Sequence, residues 1–233
     1  MTTERPFIIV TGAGRSGTSA VARVLHESGV RMGNDFDAPS EFNPEGYYEE
    51  TAVWTLNQRL LTDLGMGDLR QPERWPSRSA VLAAATHHEP AMRELVANAA
   101  GGWKDPRFAI TLEAWLPCLP ARPKLVVCLR SPDAHAESVV RSYGLVDRAA
   151  AKRLWAKNYR RLLEVIQDYR LEATCVEFDA LVERPKQATA ALSEFVGHSL
   201  RPDYVNPSLQ RFRRPVSTKY ARLYREVLAL ASG

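Results

Sequence analysis

The residues of this chain best suited to chemistry fall in three short clusters. The first is Gly12, Ala13, Gly14, Arg15, Ser16, Gly17, Thr18 and Ser19, directly after the apolar run 7–10. Glycines permit the positive φ angles that turn successive backbone N–H groups inward. Thr18 and Ser19 open a segment with Val21, Val24 and Leu25 at helical spacing. A strand, a glycine turn and a helix N-terminus make a cradle for a phosphate-like anion, because the first helical turn carries unpaired donors and the positive end of the dipole. Gly12 and Gly17 keep the spacing of the nucleotide-hydrolysing loop G-x-x-x-x-G-K-[ST]. The lysine slot, however, holds Thr18, and the cation sits inside the loop as Arg15. The spacing points to phosphate. The missing lysine argues against ordinary ATP or GTP chemistry.

The second cluster is Lys104, Asp105, Pro106 and Arg107, within 102–107, which reads as a short strand ending in a charged turn. In the third, Arg130 stands where the buried run 124–129 stops, with Ser138 and Arg141 on one face of the helix that follows. An arginine fork and a serine hydroxyl can hold a phosphate monoester. The same residues also suit a loop-capping arginine and a solvent-facing serine. Between the first two clusters lies an acidic loop containing Glu41, Glu45 and Glu49.

The elements that must carry these clusters alternate. Apolar runs at 7–10, 124–129 and 173–178 read as buried strands. Helical periodicity is predicted from 51 to 64, from 79 to 99 with a break at Glu89 and Pro90, from 108 to 116, 133 to 143, 147 to 169 and 185 to 196, and in the tail to Leu230. In 147–169 the residues Trp155, Tyr159, Leu162, Ile166 and Tyr169 form one stripe. Lys152, Arg153, Lys157, Arg160 and Arg161 are expected on a solvated face. Alternating strands and helices predict an α/β, P-loop-like three-layer fold with a central, mostly parallel sheet. Ligands in such folds bind beyond the carboxyl ends of the strands.

With 233 residues, 45% hydrophobic and 25% charged, the chain is expected to form a single domain over 1–233, with 34–100 as a helical insertion or cap over the nucleotide end. A formal charge of +4 without a basic block suits a small anionic ligand and speaks against a nucleic-acid partner. No run is long enough for a membrane span or a signal peptide. Cys118, Cys128 and Cys175 lack metal spacing and sit in apolar surroundings, which predicts reduced core thiols and a cytoplasmic setting. His87 and His88 read as surface residues, while His26 and His135 fall near the expected anion sites.

Several motifs, in order, resemble the PAPS-dependent sulfotransferases of the bacterial small-molecule type. Arg15-Ser16-Gly17-Thr18-Ser19 resembles their 5′-phosphosulfate loop, and Arg130 with Ser138 their 3′-phosphate motif. The segment from Val176 through Asp179, Leu181 and Pro185 to Phe195 and Gly197 resembles a further family segment. So do Asn43 to Glu49 and Lys104 to Arg107. The resemblance covers 7–197 and implies in-line sulfuryl transfer from 3′-phosphoadenosine-5′-phosphosulfate (PAPS) to a hydroxyl of a small-molecule acceptor, leaving PAP and needing no metal. It implies donor binding by Gly14, Arg15, Ser16, Gly17, Thr18, Ser19, Arg130 and Ser138, with Arg15 and Lys104 on the charge that builds on the departing phosphate oxygen. Relatives that use lysine at Arg15 differ here, and arginine acts electrostatically, not as a general acid. The histidine base of the eukaryotic cytosolic enzymes is replaced by Pro106. The resemblance therefore shifts the base to a loop glutamate, Glu49 first, then Glu45 or Glu41, with Asp105 and His135 behind them. Arg213 and Arg214 are tail residues expected near the 3′-phosphate. A P-loop kinase of a small molecule and a non-catalytic nucleotide-binding protein stay open as alternatives. Acceptor identity and oligomeric state are not encoded in any motif.

Overall fold

The strands among the described residues are short, three to six residues each. The computed structural model describes residues 6–41, 43–66, 74–143, 147–210 and 212–232. Among these, β1 (Ile8–Thr11), β2 (Gly102–Lys104), β3 (Lys124–Leu129) and β4 (Ala173–Glu177) form one sheet in the order β2-β1-β3-β4. All pairings are parallel, with Val10 opposite Lys104 on one side and Val126 on the other, and Cys128 opposite Val176. The central position of β1 puts the topological switch at its carboxyl end.

Alternation along each strand divides the core into two layers. Ile8, Val10, Val126, Cys128 and Val176 face α1 (Thr18–Glu27), α8 (Phe178–Glu183) and α9 (Pro185–Val196). Ile9, Leu125, Val127, Leu129 and Cys175 face α5 (Phe108–Trp115), α7 (Arg148–Tyr169) and α10 (Ala221–Leu228). The same layer takes in α2 (Thr51–Asp63), α3 (Arg78–Ala85) and α4 (Glu89–Ala97) through Leu56, Leu60, Val81 and Met92. The remaining helix, α6 (Pro132–Tyr143), leads off β3 and packs on α7. The α/β fold expected from the alternating pattern is the one observed, and its sheet is wholly parallel among the described residues.

Several local expectations needed adjustment. The third predicted strand ends one residue early, since Phe178 opens α8. The break expected at Glu89 and Pro90 is observed: 79–99 divides into α3 and α4, with Pro90 in the first turn of the second, where its missing N–H costs nothing. Arg161 does not belong to the solvated face of α7. It is buried, and its Nη2 donates to Pro76 O at 2.7 Å. Burial lowers the Arg161 pKa, opposed by Glu164 and Glu113. The three cysteines are free and buried, with burial pushing their pKa values up. No helix among the described residues is long and apolar enough to cross a membrane.

Candidate active site

Each charged cluster of the sequence sits at a strand's carboxyl end, and the parallel sheet brings those ends to one edge. The loop after β1 turns on Gly12, Arg15 and Gly17, all at positive φ. At Gly12 a side chain would meet the carbonyl of Cys128 at 2.4 Å, and at Gly17 the ring of Phe178 at 2.3 Å. Only glycine permits these approaches. Arg15 adopts the left-handed region at φ 70, which costs on the order of 1–3 kcal/mol for a residue with a side chain. Gly17 caps α1 without any side-chain hydrogen bond, and Gly17, Thr18, Ser19 and Ala20 of that first turn line the cleft. Ser16 is fully buried and closes the turn, its amide donating to Ala13 O at 3.1 Å.

The end of β3 is fixed from behind by α7. Tyr159 Oη donates to Cys128 O at 2.6 Å and Trp155 Nε1 to Arg130 O at 2.9 Å, so the apolar stripe of α7 also satisfies the strand's last carbonyls. Arg130 is thereby held against the loop after β1. Its Nη1 reaches Arg15 O at 3.4 Å, its Nη2 donates to Phe212 O at 2.8 Å, and its guanidinium lies over the Phe178 ring at 4.8 Å. Its Nε is buried with no hydrogen-bond partner. Burial lowers the Arg130 pKa, opposed by Asp179 and reinforced by Arg15. The guanidinium nonetheless stays charged at neutral pH. From α6, Ser138 is buried and accepts from Arg15 Nε at 3.4 Å. Arg15, Gly17, Thr18, Ser19, Arg130 and Ser138 line a cleft of about 80 Å³ together with Phe178 and with Leu209 and Phe212 of the tail. Larger hollows of about 680 and 690 Å³ lie along β4 and α9 and against α8, and neither includes Arg15, Lys104 or Arg130.

A second constellation touches the first through Ser19. Lys104, 2% exposed at the end of β2, donates to Ser19 Oγ at 3.1 Å, to Tyr47 O at 3.0 Å and to Glu49 Oε1 at 2.5 Å. The other Glu49 oxygen lies 3.6 Å from Arg107 Nη1. The loop carrying Glu49 is anchored on α1. Asn43 Nδ2 donates to Ser19 Oγ at 3.1 Å and to Gly46 O at 2.5 Å, and Tyr48 Oη donates to Glu27 at 3.0 Å. Burial and Glu27 push the Tyr48 pKa up to about 12.

The other sequence candidates lie apart. Glu45 pairs with Arg23 at 2.5 Å and accepts from Asn206 at 2.5 Å, away from Lys104. Glu41 is exposed. Gly14 sits within the loop but outside the lining of the cleft. His26 accepts from Met32 N and packs on Phe36 and Tyr48. His88 pairs with Asp63 at 2.7 Å. Arg213 pairs with Glu183 at 2.7 Å and Arg214 bonds Arg213 O. His135 is 3% exposed behind the anion loop. Burial, then Arg130 and Arg15, push its pKa down to about 3. Among the described residues no group of three or more His, Cys, Asp or Glu could hold a metal ion.

No family model matches the sequence, and no curated protein matches it. Solved structures do. A sulfotransferase domain from the curacin biosynthetic pathway aligns over 95% of this chain and 97% of its own, at TM-score 0.55 and 16% identity. The sulfotransferase domain from the Synechococcus PCC 7002 olefin synthase aligns over 100% of this chain and 96% of its own, at TM-score 0.53 and 16% identity. The chain has the sulfotransferase fold. Within that fold, sequence reading missed three contributors: Asn43 as a side-chain ligand of Ser19, Phe178 as the platform for Arg130, and Asn57. A signal existed for the last. Asn57 falls beside Leu56, Leu60 and Leu61 on the apolar stripe of α2, where an amide is out of place unless it has partners.

Proposed function

We propose that the protein is a sulfotransferase, moving a sulfuryl group from PAPS to a hydroxyl of a small-molecule acceptor. The observation that carries this reading is the convergence of an anion cradle, a partly unpartnered buried arginine and a buried lysine–glutamate pair at one sheet edge. PAPS is a substrate with two phosphate-bearing ends, and the residues present fit both. Arg15, Thr18, Ser19 and the α1 N-terminus suit the 5′-phosphosulfate. Arg130 and Ser138 suit the 3′-phosphate, since the buried Nε of Arg130 has a proton to give and nothing to give it to. The cleft of about 80 Å³ is below the ~300–1,000 Å³ of ordinary ligand pockets, and Leu209 and Phe212 on its lining are the residues a bound donor would displace. The Phe212 carbonyl on Arg130 then gives way to a phosphate oxygen.

Glu49 takes the acceptor's hydroxyl proton. As the acceptor oxygen bonds to sulfur, the bond from sulfur to the 5′-phosphate oxygen breaks. Lys104, Arg15 and the loop amides stabilise the charge left on that oxygen, and PAP departs. Preorganised donors in a water-poor site do this without reorganisation at the moment of reaction. Residues 34–100 then supply the acceptor surface of a single domain, and reduced core thiols suit a cytoplasmic setting.

Thermal shift separates this from a nucleoside-triphosphate reading, because a ligand that binds only the folded form raises apparent stability. PAP should stabilise the protein, and ATP and GTP should do so much less. Arg130→Ala should weaken PAP by about 2–5 kcal/mol while leaving adenosine 5′-phosphosulfate nearly unchanged, since only PAP carries the 3′-phosphate. Equal losses for both ligands would remove the 3′-phosphate assignment. Stabilisation by ATP and not PAP would overturn the reading as a whole.

A further inference from the structure

The base proposed above stands on a buried polar relay. Asp105 follows Lys104 at the end of β2 and is 0% exposed. Its Oδ1 accepts from the amide of Arg107 at 2.8 Å and from Arg107 Nη1 at 3.1 Å, and its Oδ2 accepts from Asn57 Nδ2 at 2.8 Å. Asn57, also 0% exposed, cannot be turned round. Its Oδ1 accepts from Thr111 Oγ1 and from Trp115 Nε1, each at 2.8 Å, and a flipped amide would set its NH2 against the donor-only indole and its oxygen against the Asp105 carboxylate. The core of α5 thus fixes the amide of α2, and the amide fixes the carboxylate.

Burying an ionised carboxylate is unfavourable unless it is paired and fully hydrogen-bonded, and an apolar residue in its place would often do as well for stability. A local reason for keeping it is what it holds. Arg107, bound to Asp105, also donates from Nε to Gln58 at 3.1 Å and lies over Trp54 at 5.5 Å, so it is oriented by three groups. From that position its Nη1 reaches Glu49, whose other oxygen is on Lys104. Trp54, Asn57 and Gln58 all belong to α2, and Glu49 lies immediately before the α2 N-cap, Glu50. The bond from Asn57 to Asp105 therefore sets Glu49 twice, by docking α2 onto the end of β2 and by aiming Arg107.

We propose that Asp105 and Asn57 are positioning residues that hold Arg107 at its 3.6 Å reach from the outer Glu49 oxygen, no closer, and so hold the Glu49 carboxylate at the sulfuryl site. The inference rests on the sulfotransferase reading for its chemistry and on the relay for its geometry. Asp105→Asn retains shape but sets its NH2 against a donor, Asn57 or Arg107, and the loosened Arg107 closes from 3.6 Å onto Glu49 and draws it from the acceptor. Steady-state kinetics with PAPS and a hydroxyl acceptor should show kcat down about 100-fold, as expected for a misplaced reacting group, with donor KM within about twofold of wild type. Arg107→Gln alone should lose about tenfold. The double variant should also lose only about tenfold, because removing the stray cation rescues the released base, and such non-additivity marks a coupled pair. Amide hydrogen exchange gives a readout that does not need turnover: residues 43–50 should lose protection in Asp105→Asn while residues 12–17 keep theirs. Losses that multiply in the double variant, or unchanged kcat and unchanged exchange, overturn the relay. If Asp105→Asn fails to fold, full activity and unchanged exchange in Arg107→Gln overturn it equally. Wild-type protein inert toward PAPS sinks the sulfotransferase reading instead, and the exchange arm still decides the positioning.

Discussion

Acid should destabilise this protein through one histidine. His135 lies behind the anion loop, 3% exposed, with a buried Nδ1 that has no hydrogen-bond partner. Burial disfavours its charged form, and Arg130 and then Arg15 add repulsion, while the backbone of Ala151 and Gly14 opposes them weakly; the result is a pKa near 3. In the unfolded chain the same ring titrates at its ordinary value of 6.5. The folded pKa is the lower one, so below pH 6.5 the unfolded state binds a proton that the folded state refuses. Stability is unaffected above that pH and is lost as pH falls from 6.5 toward 3. At pH 5.0 the loss is about 2 kcal/mol, from RT ln(1 + 10^1.5), and it does not depend on the exact folded value so long as that lies well below 5. Urea unfolding at pH 7.5 and 5.0, on wild type and on His135→Gln, isolates this group, because every other titration is common to both proteins. Wild type should lose about 2 kcal/mol more than the variant. An equal loss would mean that the folded protein protonates His135 freely, and the account of the packing behind the loop would be wrong.

Gly17→Ala places a Cβ 2.3 Å from Phe178 Cδ2 at φ 90 and should cost about 1–3 kcal/mol in urea unfolding, with loss of the PAP thermal shift. Gly14→Ala is the control for stability, since its nearest neighbour would be Pro106 Cβ at 4.0 Å. Glu49→Gln should lower turnover of an aliphatic alcohol by about two to four orders of magnitude with PAP binding near normal, and a phenol should suffer less; full activity in single-turnover assays would remove Glu49 as the base.

The sequence alone determined what repeats along the chain or lies within one turn. Apolar runs ending in charged or glycine turns specified the strands, and helical spacing specified the helices. Gly12 to Ser19 specified a tight turn between strand and helix, because the backbone conformations at Gly12 and Gly17 are local properties of glycine. The family resemblance ranked Glu49 ahead of Glu45 and Glu41, all three in one acidic loop. The tertiary structure decided their surroundings: Lys104 arrives from the end of β2 and meets Glu49, whereas Glu45 is drawn to Arg23 and Asn206. Arg161 shows the same limit in reverse. Its type and spacing say solvent, and Pro76 from a distant segment says core. The buried relay through Asn57, Asp105 and Arg107 joins α2, the β2 end and α5, so no window of sequence contains it. Local propensity depends on neighbours along the chain, but which donor meets which acceptor depends on how the sheet orders its strands, and here β1 between β2 and β3 decides it.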